Sequence, residues 1–195
     1  MTGAGGTPRP SEVPGPDGPE QIQAPWRADY LEEVGRSESR GTEHAHHNFL
    51  SRYWEDPSSD ERHHVLMRDG HGMVLLNAYP YSSGHLLVAL GEPRPRLLEY
   101  APEQRAALWS LVDRAVALCE RAIEPQGVNI GVNQGRAAGA GVPGHLHVHV
   151  VPRWAGDVNF ITTVGRVRVI PAALESMARR YRACLESCGG DPVAV

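Results

Sequence analysis

Three histidines alternate with apolar residues in the run GHLHVHVVPRW, where they occupy positions His145, His147 and His149. In an extended strand alternate residues share one face, so the three imidazole rings would lie side by side and the apolar residues between them would face the other way. A shift of one residue would bury all three rings in the core. The pattern therefore predicts that the histidine face looks into a polar site.

Imidazole side chains in this arrangement could serve two kinds of enzyme. Nucleotidyl transfer needs a nucleophile, donors to the non-bridging oxygens and an acid for the leaving oxygen, and three histidines can supply all of them near neutral pH. Histidines two residues apart on a strand can also hold one zinc ion, with a third ligand from elsewhere and an open position for water. A solvated strand face with incidental histidines is the third interpretation.

The loop before the histidines is built almost entirely from small residues and reads GRAAGAGVPG over residues 135–144. Backbone N–H groups with so little steric cover can form a concave anion site, although glycine loops also occur as plain turns. The histidine run contains no aspartate or glutamate that could act as a base for zinc-bound water. The combination favours phosphorus chemistry over a zinc site.

The elements that must position these groups follow from the apolar patterning. Short apolar runs bounded by turn residues predict strands, and apolar residues spaced three and four apart predict helices. The predicted strands are Gly72–Tyr79, His85–Leu90, Gly127–Asn133, His145–Val151 and Arg166–Ile170, and the predicted helices are Pro102–Ile123 and a final helix after Pro171. This order predicts an α+β fold, in which helices pack on an antiparallel sheet of about five strands.

The chain length and composition favour one catalytic or binding domain. With 195 residues, of which 41% are hydrophobic, the chain can form one full core. Residues 1–25 contain six prolines and five glycines and are predicted to be a disordered tail, which leaves residues 26–195 as a single domain. The net charge of −4 provides no basic field, so nucleic acid is not expected as a partner.

The chain shows no apolar stretch typical of a signal peptide or a membrane span, so we expect a cytoplasmic location and no membrane partner. Its three cysteines, Cys119, Cys184 and Cys188, are then expected to be reduced thiols.

The residues around the histidines resemble a known family. HLHVHVVPRW resembles the signature of the histidine triad (HIT) superfamily, and VLLNAYPYSSGHLLVAL resembles the strand pair with which its members hold a nucleoside. The longer patterns LNAYPYSSGH, NQGRAAGAG, HVVPRWAGDVNF and PWRADY are similar to the bacterial diadenosine tetraphosphate phosphorylase group. The resemblance covers most of residues 66–160 and implies a HIT-like fold.

The resemblance also implies a role for each histidine of the site. His147 matches the nucleophile that takes the nucleotidyl group at its α-phosphorus, and His149 matches the group that stabilises and protonates the leaving oxygen. The backbone carbonyl of His145 would orient the ring of His147. His85 matches the histidine that closes the site, and Asn77 matches the group that bonds the ribose hydroxyls.

Further substrate contacts are implied along the loop and after the triad. Relatives often carry Gln-Ser or Gln-Thr just before the triad, whereas this chain has Gly141-Val142 and so lacks a hydroxyl there. Phosphate contacts are then left to backbone N–H groups and to Asn133, Gln134 and Arg136, and Trp154 would border a distal nucleotide or close the pocket. The residues expected to line the phosphate channel are Asn133, Gly139, Ala140 and Gly141.

The activity implied by the resemblance is phosphorolysis of diadenosine tetraphosphate to ADP and ATP through a nucleotidyl-histidine intermediate. The implied partners are diadenosine tetraphosphate, inorganic phosphate and the adenine nucleotides ATP, ADP and AMP. No cofactor or protein-bound metal is required, although a divalent cation could accompany the polyphosphate. Three alternatives stay open: a hydrolase or nucleoside phosphoramidase that uses water, a nucleotide-binding sensor without activity, and a zinc enzyme.

Two further expectations concern assembly and a second group of histidines. Members of the superfamily pair through a sheet edge and a helix, so the resemblance implies a homodimer, with a tetramer as the alternative.

Some bacterial relatives bind zinc with cysteines near the second group of histidines, but this chain has no cysteine there, so we favour surface histidines over a metal cluster. The second group consists of His44, His46, His47, His63 and His64.

Overall fold

The computed structural model describes residues 48–157 and 170–193. Within them the predicted α+β fold, with helices on a five-stranded antiparallel sheet, is confirmed. The strands are β1 Val65–Arg68, β2 Gly72–Leu76, β3 Leu86–Leu90, β4 Gly127–Val132 and β5 His147–Arg153. The helices are α1 Phe49–Glu55, α2 Pro102–Ile123 and α3 Leu174–Ser187, and single 3-10 turns cover Pro57–Ser59, Leu97–Glu99 and Arg136–Ala138.

The histidine strand lies inside the sheet rather than at its edge. The strands are arranged in the order β1-β2-β3-β5-β4, and every neighbouring pair is antiparallel. In the β3–β5 pair His147 lies opposite Ala89 and His149 lies opposite Leu87. Directly opposed residues share one face of a sheet. The register therefore gives the histidines and the odd-numbered residues of β3 a common face.

Both faces of the sheet are covered at its central strands β2 and β3, whereas the edge strand β4 is largely exposed. Helices α2 and α3 pack on one face and form the larger core with Val148 and Val150 of the histidine strand. On the other face Leu50 of α1 packs on a smaller cluster that includes Leu87 and Ala89. Strands buried on both sides need no alternation of polar and apolar residues, which explains the continuous apolar sequences of β2 and β3.

Helix α2 has the predicted bounds, because its ends carry strong sequence signals. Pro102 occupies the first helical position, where its missing N–H has no partner to lose. At the other end Glu124 adopts a left-handed conformation with φ of 47°, and a proline follows it. The buried face consists of Leu108, Leu111, Val112, Ala115, Leu118, Cys119 and Ile123.

Four of the five predicted strands are confirmed in type, and several of their bounds are wrong. Strand β2 ends at Leu76, because the residues up to Gly84 form the turn that leads into β3. Strand β1 was not predicted, since its four residues are too few to show a period and follow a charged segment. The predicted strand Arg166–Ile170 falls, except for its last residue, outside the described residues, as does the predicted tail 1–25.

Two smaller expectations can also be compared with the structure. Cys119, Cys184 and Cys188 are free thiols, as predicted. Among the helices of the described residues, none combines the length and apolarity that a membrane crossing requires.

We predict that Gly72→Ala lowers the free energy of unfolding by about 1 to 3 kcal/mol. A Cβ atom at Gly72 would collide with the carbonyl oxygen of Ala89 and lie 2.9 Å from Cδ1 of Leu111, so β3 and α2 would have to move. Urea denaturation followed by circular dichroism measures the loss. Gly70→Ala is the matched control, because a Cβ atom there meets nothing within 4 Å. Equal stability of the two variants would contradict this packing.

Candidate active site

A cavity of about 500 Å³ lies on the α1 face of the sheet and contains the rings of His147 and His149 in its wall. This volume is in the range of small-molecule sites. Phe49 and Tyr53 of α1, with Leu75 and Leu87 of the sheet, form its apolar wall. Among the described residues that line it there is no aspartate or glutamate. The cavity can therefore accept an aromatic group and an anion together.

The ring of His147 is oriented by its own strand. Its Nδ1 lies 2.9 Å from the carbonyl oxygen of His145, and a carbonyl oxygen can only accept, so Nδ1 carries the proton. Burial lowers the pKa of His147, an effect partly opposed by this hydrogen bond. The neutral ring then has an unprotonated Nε2. This is the form of imidazole that can attack phosphorus.

His85 fixes the tautomer of His149. The backbone N–H of Tyr81 donates to Nδ1 of His85 at 3.1 Å, and the side-chain amide of Asn77 lies 3.2 Å from the same nitrogen. Since Nδ1 of His85 accepts, the proton of this ring is on Nε2, which lies 3.0 Å from Nδ1 of His149. His149 therefore accepts at Nδ1 and keeps its own proton on Nε2, where it can donate to a ligand.

His145 differs from the other two histidines, because its ring does not line the cavity. The ring is fully buried, with Nε2 donating to the carbonyl oxygen of Leu90 at 2.7 Å. Its Nδ1 lies 3.0 Å from the side chain of Asn48, the residue that caps α1, and 3.4 Å from the hydroxyl of Ser51. His145 thus presents its carbonyl group to the site and uses its ring to join α1 to the sheet.

The expectation of a polar histidine face needs correction. The side chains of His145, His147 and His149 are 0%, 5% and 9% exposed, and they share their face with apolar residues of β2 and β3. Hydrogen bonds between the rings and to backbone carbonyls make this burial possible. Burial lowers the pKa of His145 and of His149 to about 4, with a smaller contribution from His147 in the same direction.

The small-residue loop is less open as an anion cradle than its sequence indicates. Of the loop residues expected in the phosphate channel, Gly139 and Gly141 line the cavity and Ala140 does not. The N–H groups of Gly139 and Ala140 donate within the loop, to the carbonyl oxygens of Arg136 and Gly135. These two amides stabilise the turn itself. The prediction of a bare backbone cradle is therefore wrong for this part of the loop.

The remaining predicted contacts divide between cavity and scaffold. Asn77 lines the cavity. Asn133 and Gln134 instead contact the scaffold, through the carbonyl oxygen of Gly139 at 3.4 Å and the N–H of Leu97 at 2.9 Å. Trp154 packs against the larger core on the opposite face, because it continues the alternation of the valines rather than that of the histidines. It therefore does not close this cavity.

Sequence reasoning missed the cationic end of the cavity. Arg52 and Arg62 line it together with His63 and His64, beside the segment that enters β1. Strand β1 is separated from the histidine strand by β2 and β3. Neither guanidinium forms an ion pair or hydrogen bond with the described residues. The arginines belong to short, poorly patterned segments, so only the fold reveals their position.

The aromatic residue Tyr81 was also missed. Its backbone N–H holds His85, and its ring stacks near that of His149, with centroids 5.6 Å apart and planes inclined by 22°. The sequence signal that could have identified Tyr81 is its position four residues before His85, since a tight turn between the two brings them close together.

Two members of the second histidine group, His63 and His64, lie among the described residues. His63 stacks on Tyr53 with ring centroids 3.8 Å apart, and burial together with the charges of Arg62 and Arg52 lowers its pKa. Nδ1 of His64 is buried without a hydrogen-bond partner. No group of three or more histidine, cysteine, aspartate or glutamate residues arranged to hold a metal occurs in the part of the chain that the structure describes. His44, His46 and His47 lie outside that part.

We predict that the free energy of unfolding decreases as the pH falls from about 6.5 to about 4. Burial lowers the pKa of His145 and His149 to about 4 in the folded protein, whereas unfolded histidines titrate near the ordinary value of 6.5. In this window the unfolded chain binds protons that the folded chain excludes, so this stabilisation is complete above pH 6.5 and is lost toward pH 4. Urea titrations at a series of pH values measure the slope.

The variant His149→Asn removes one of these groups and is the internal control. Its slope over the same window should be smaller by up to about 1.4 kcal/mol per pH unit. A slope identical to that of the unsubstituted chain would show that His149 titrates normally.

Comparison with known proteins agrees with this geometry. Residues 58–156 match the family model described as the HIT domain. A protein of Mycobacterium tuberculosis named AP-4-A phosphorylase is 36% identical over 163 residues, which are 82% of this chain and 81% of that protein. The asymmetrical bis(5'-nucleosyl)-tetraphosphatase of Schizosaccharomyces pombe is 32% identical over 93 residues, which are 48% of this chain and 50% of that protein.

A solved structure has the same fold. The zinc-bound histidine triad family protein from Mycobacterium smegmatis aligns with a TM-score of 0.57 and 28% identity, over 70% of this chain and 93% of that protein. The segment matched by the family model includes His85 and the three histidines of the run, and it covers more than half of the 195 residues. The resemblance noted from the histidine run is thus confirmed, and the chain belongs to the HIT domain family.

Proposed function

We propose that this protein is a nucleotidyltransferase that cleaves diadenosine tetraphosphate by phosphorolysis and produces ADP and ATP. The observation that carries the proposal is the neutral ring of His147, whose proton is held on Nδ1 by the carbonyl oxygen of His145. His147, whose Nε2 is unprotonated, lines a cavity with an apolar wall and further imidazole groups. No carboxylate occurs among the described residues that line this cavity. The 36% identity to the AP-4-A phosphorylase of Mycobacterium tuberculosis supports the choice of reaction.

The reaction proceeds in two displacements. Nε2 of His147 attacks the α-phosphorus of the substrate, the bond from that phosphorus to its bridging oxygen breaks, and ATP departs with the electron pair. An oxygen of inorganic phosphate then attacks the same phosphorus. The P–N bond breaks, its electrons return to Nε2, and ADP is released. The covalent intermediate requires ping-pong kinetics.

His149 stabilises the leaving group in the first displacement. With Nδ1 occupied by His85, the proton on Nε2 of His149 can form a hydrogen bond to the departing oxygen. A terminal phosphate is stable as an anion, so a hydrogen bond to it is sufficient. In the second displacement the same N–H can orient the incoming phosphate, which occupies the position that ATP has left.

The nucleoside end of the substrate fits the rest of the cavity. The apolar wall of α1 and β2 suits the adenine ring, and Asn77 can bond the ribose while it holds His85. The chemistry needs no cofactor, and a divalent cation would accompany the polyphosphate as part of the substrate. This chain has Gly141-Val142 where many relatives carry a side-chain hydroxyl, so the hydrolase activity of such relatives does not carry over directly.

The test is product analysis with the phosphate concentration varied. Purified protein and diadenosine tetraphosphate are incubated with and without inorganic phosphate, and nucleotides are separated by chromatography. We expect equal amounts of ADP and ATP, formed only when phosphate is present. AMP and ATP formed without phosphate would indicate a hydrolase, which the match to the Schizosaccharomyces pombe tetraphosphatase makes the second candidate. Binding without any product would indicate a sensor, and activity lost on chelation and restored by zinc would indicate a zinc enzyme.

Replacing the nucleophile provides the decisive variant. His147→Ala should reduce turnover by at least about 10³-fold, because neither displacement can occur without Nε2. His71→Ala is the matched control, since His71 is exposed in the β1–β2 turn and does not line the cavity. Near-normal turnover of the His147 variant would refute the assignment.

The cationic end of the cavity leads to a prediction about ionic strength. Arg52→Gln combined with Arg62→Gln should lower kcat/KM roughly tenfold at low salt, because two positive charges that attract a polyanion are lost. The difference should shrink as salt screens the remaining charges. Arg179→Gln, an exposed charge on α3 away from the cavity, is the control. If Arg179→Gln lowered kcat/KM as much per charge removed as the double variant does, the effect would come from the net charge of the protein rather than from the cavity.

A further inference from the structure

Helix α3 supplies one buried hydroxyl to the turn that carries His85. The hydroxyl of Tyr181 donates to the carbonyl oxygen of Gly84 at 2.7 Å, and the tyrosine side chain is fully buried. Burial raises the pKa of Tyr181, so the hydroxyl stays protonated. Helix α3 lies outside residues 58–156, the segment that matches the family model. The contact therefore joins a part of the chain beyond that segment to a histidine of the site.

The turn at Gly84 rests directly on this tyrosine. Gly84 has φ of +81°, a conformation that favours glycine. A Cβ atom at Gly84 would lie 2.8 Å from the hydroxyl oxygen of Tyr181 and 2.6 Å from Cδ1 of Ile123. The turn thus has no room to move toward α2 and α3. Packing against the helices and two hydrogen bonds hold the turn in place: the one from Tyr181, and one from the hydroxyl of Ser82 to the carbonyl oxygen of Pro152 at 2.6 Å.

The position of His85 depends on that turn. The backbone N–H of His85 donates to the carbonyl oxygen of Ser82 at 3.2 Å, and Nδ1 of His85 accepts a hydrogen bond from the N–H of Tyr81. Both the ring and the backbone of His85 therefore move with the turn. Nε2 of His85 then reaches Nδ1 of His149 at 3.0 Å. A displacement of Gly84 would lengthen this contact, and His149 would no longer be restricted to the tautomer with its proton on Nε2.

We propose that Tyr181 is a positioning residue, which holds the turn at Gly84 so that His85 fixes the tautomer of His149. The proposal rests on the proposed function only for its kinetic consequence. Its structural consequence, the tautomer of His149, can be measured without substrate.

The variant Tyr181→Phe removes the hydroxyl and leaves the shape of the ring. The carbonyl of Gly84 then has no donor in a buried position, and the turn is expected to shift toward one. Long-range ¹H–¹⁵N spectra of the imidazoles at neutral pH should show His149 as a single Nε2–H tautomer in the unsubstituted protein and as a mixture in the variant. A small displacement of a leaving-group donor should lower kcat by about tenfold or more, with KM changed less than about twofold.

Leu185→Ala is the matched control. Leu185 lies one turn further along α3 and is buried in the same core, but it is not among the three nearest neighbours of a Cβ atom at Gly84, which belong to Ile123, Tyr181 and Pro152. This variant should be destabilised yet keep the single tautomer of His149 and the normal kcat. Thermal unfolding of all three proteins shows that each is folded under the assay conditions.

The proposal is overturned if Tyr181→Phe keeps both the tautomer and kcat, or if Leu185→Ala changes them to the same extent. It is also overturned if Tyr181→Phe no longer folds, because the hydroxyl would then serve the whole fold rather than the turn. Absence of phosphorolysis in the unsubstituted protein would refute the proposed function alone, since the spectra would still report on His85 and His149.

Discussion

The Nδ1–H of His147 donates to the carbonyl oxygen of His145, and the chemistry of the cavity depends on that bond. A buried imidazole without a fixed donor or acceptor could carry its proton on either nitrogen, and only one choice leaves the cavity-facing nitrogen nucleophilic. The second imidazole is restricted in the same way, but by a neighbouring ring. The backbone N–H of Tyr81 selects the tautomer of His85, which in turn selects that of His149. The carbonyl group of His145 and the N–H group of Tyr81 thus determine which nitrogen carries the proton in three imidazole rings.

The architecture of the sheet makes this assignment possible. A strand inside a sheet, paired on both sides, keeps its carbonyl and N–H groups in fixed directions, and β5 lies between β3 and β4. Packing of α1 on the histidine face of the sheet then partly excludes water from the rings, which lowers the pKa of each triad histidine and keeps it neutral. The ring of His145 contributes to that exclusion by joining the cap of α1 to the end of β3.

Local sequence predicts those features that depend on neighbours in the chain. The bounds of Pro102–Ile123 follow from proline signals at both ends, and the bond from His147 to the carbonyl of His145 spans only two residues. Long-range features could not be predicted in this way. Tyr181 contacts a residue 97 positions away, and its helical spacing indicates only that it faces a core. For the small-residue loop, the sequence could not reveal that amide groups such as that of Gly139 donate within the loop itself.

The charge of the cavity wall also affects the products of the proposed reaction, which stay in the cavity until they dissociate. Two guanidinium groups and four imidazoles line it, without a carboxylate among the described lining residues. Since burial lowers the pKa of His147 and His149, the positive charge of this wall is that of the two guanidinium groups. In the proposed reaction such a wall would attract ATP and ADP as well as the substrate, and no carboxylate among the described lining residues would repel a nucleotide that has already reacted. For the proposed reaction we therefore expect accumulated ATP and ADP to compete with fresh substrate for the cavity.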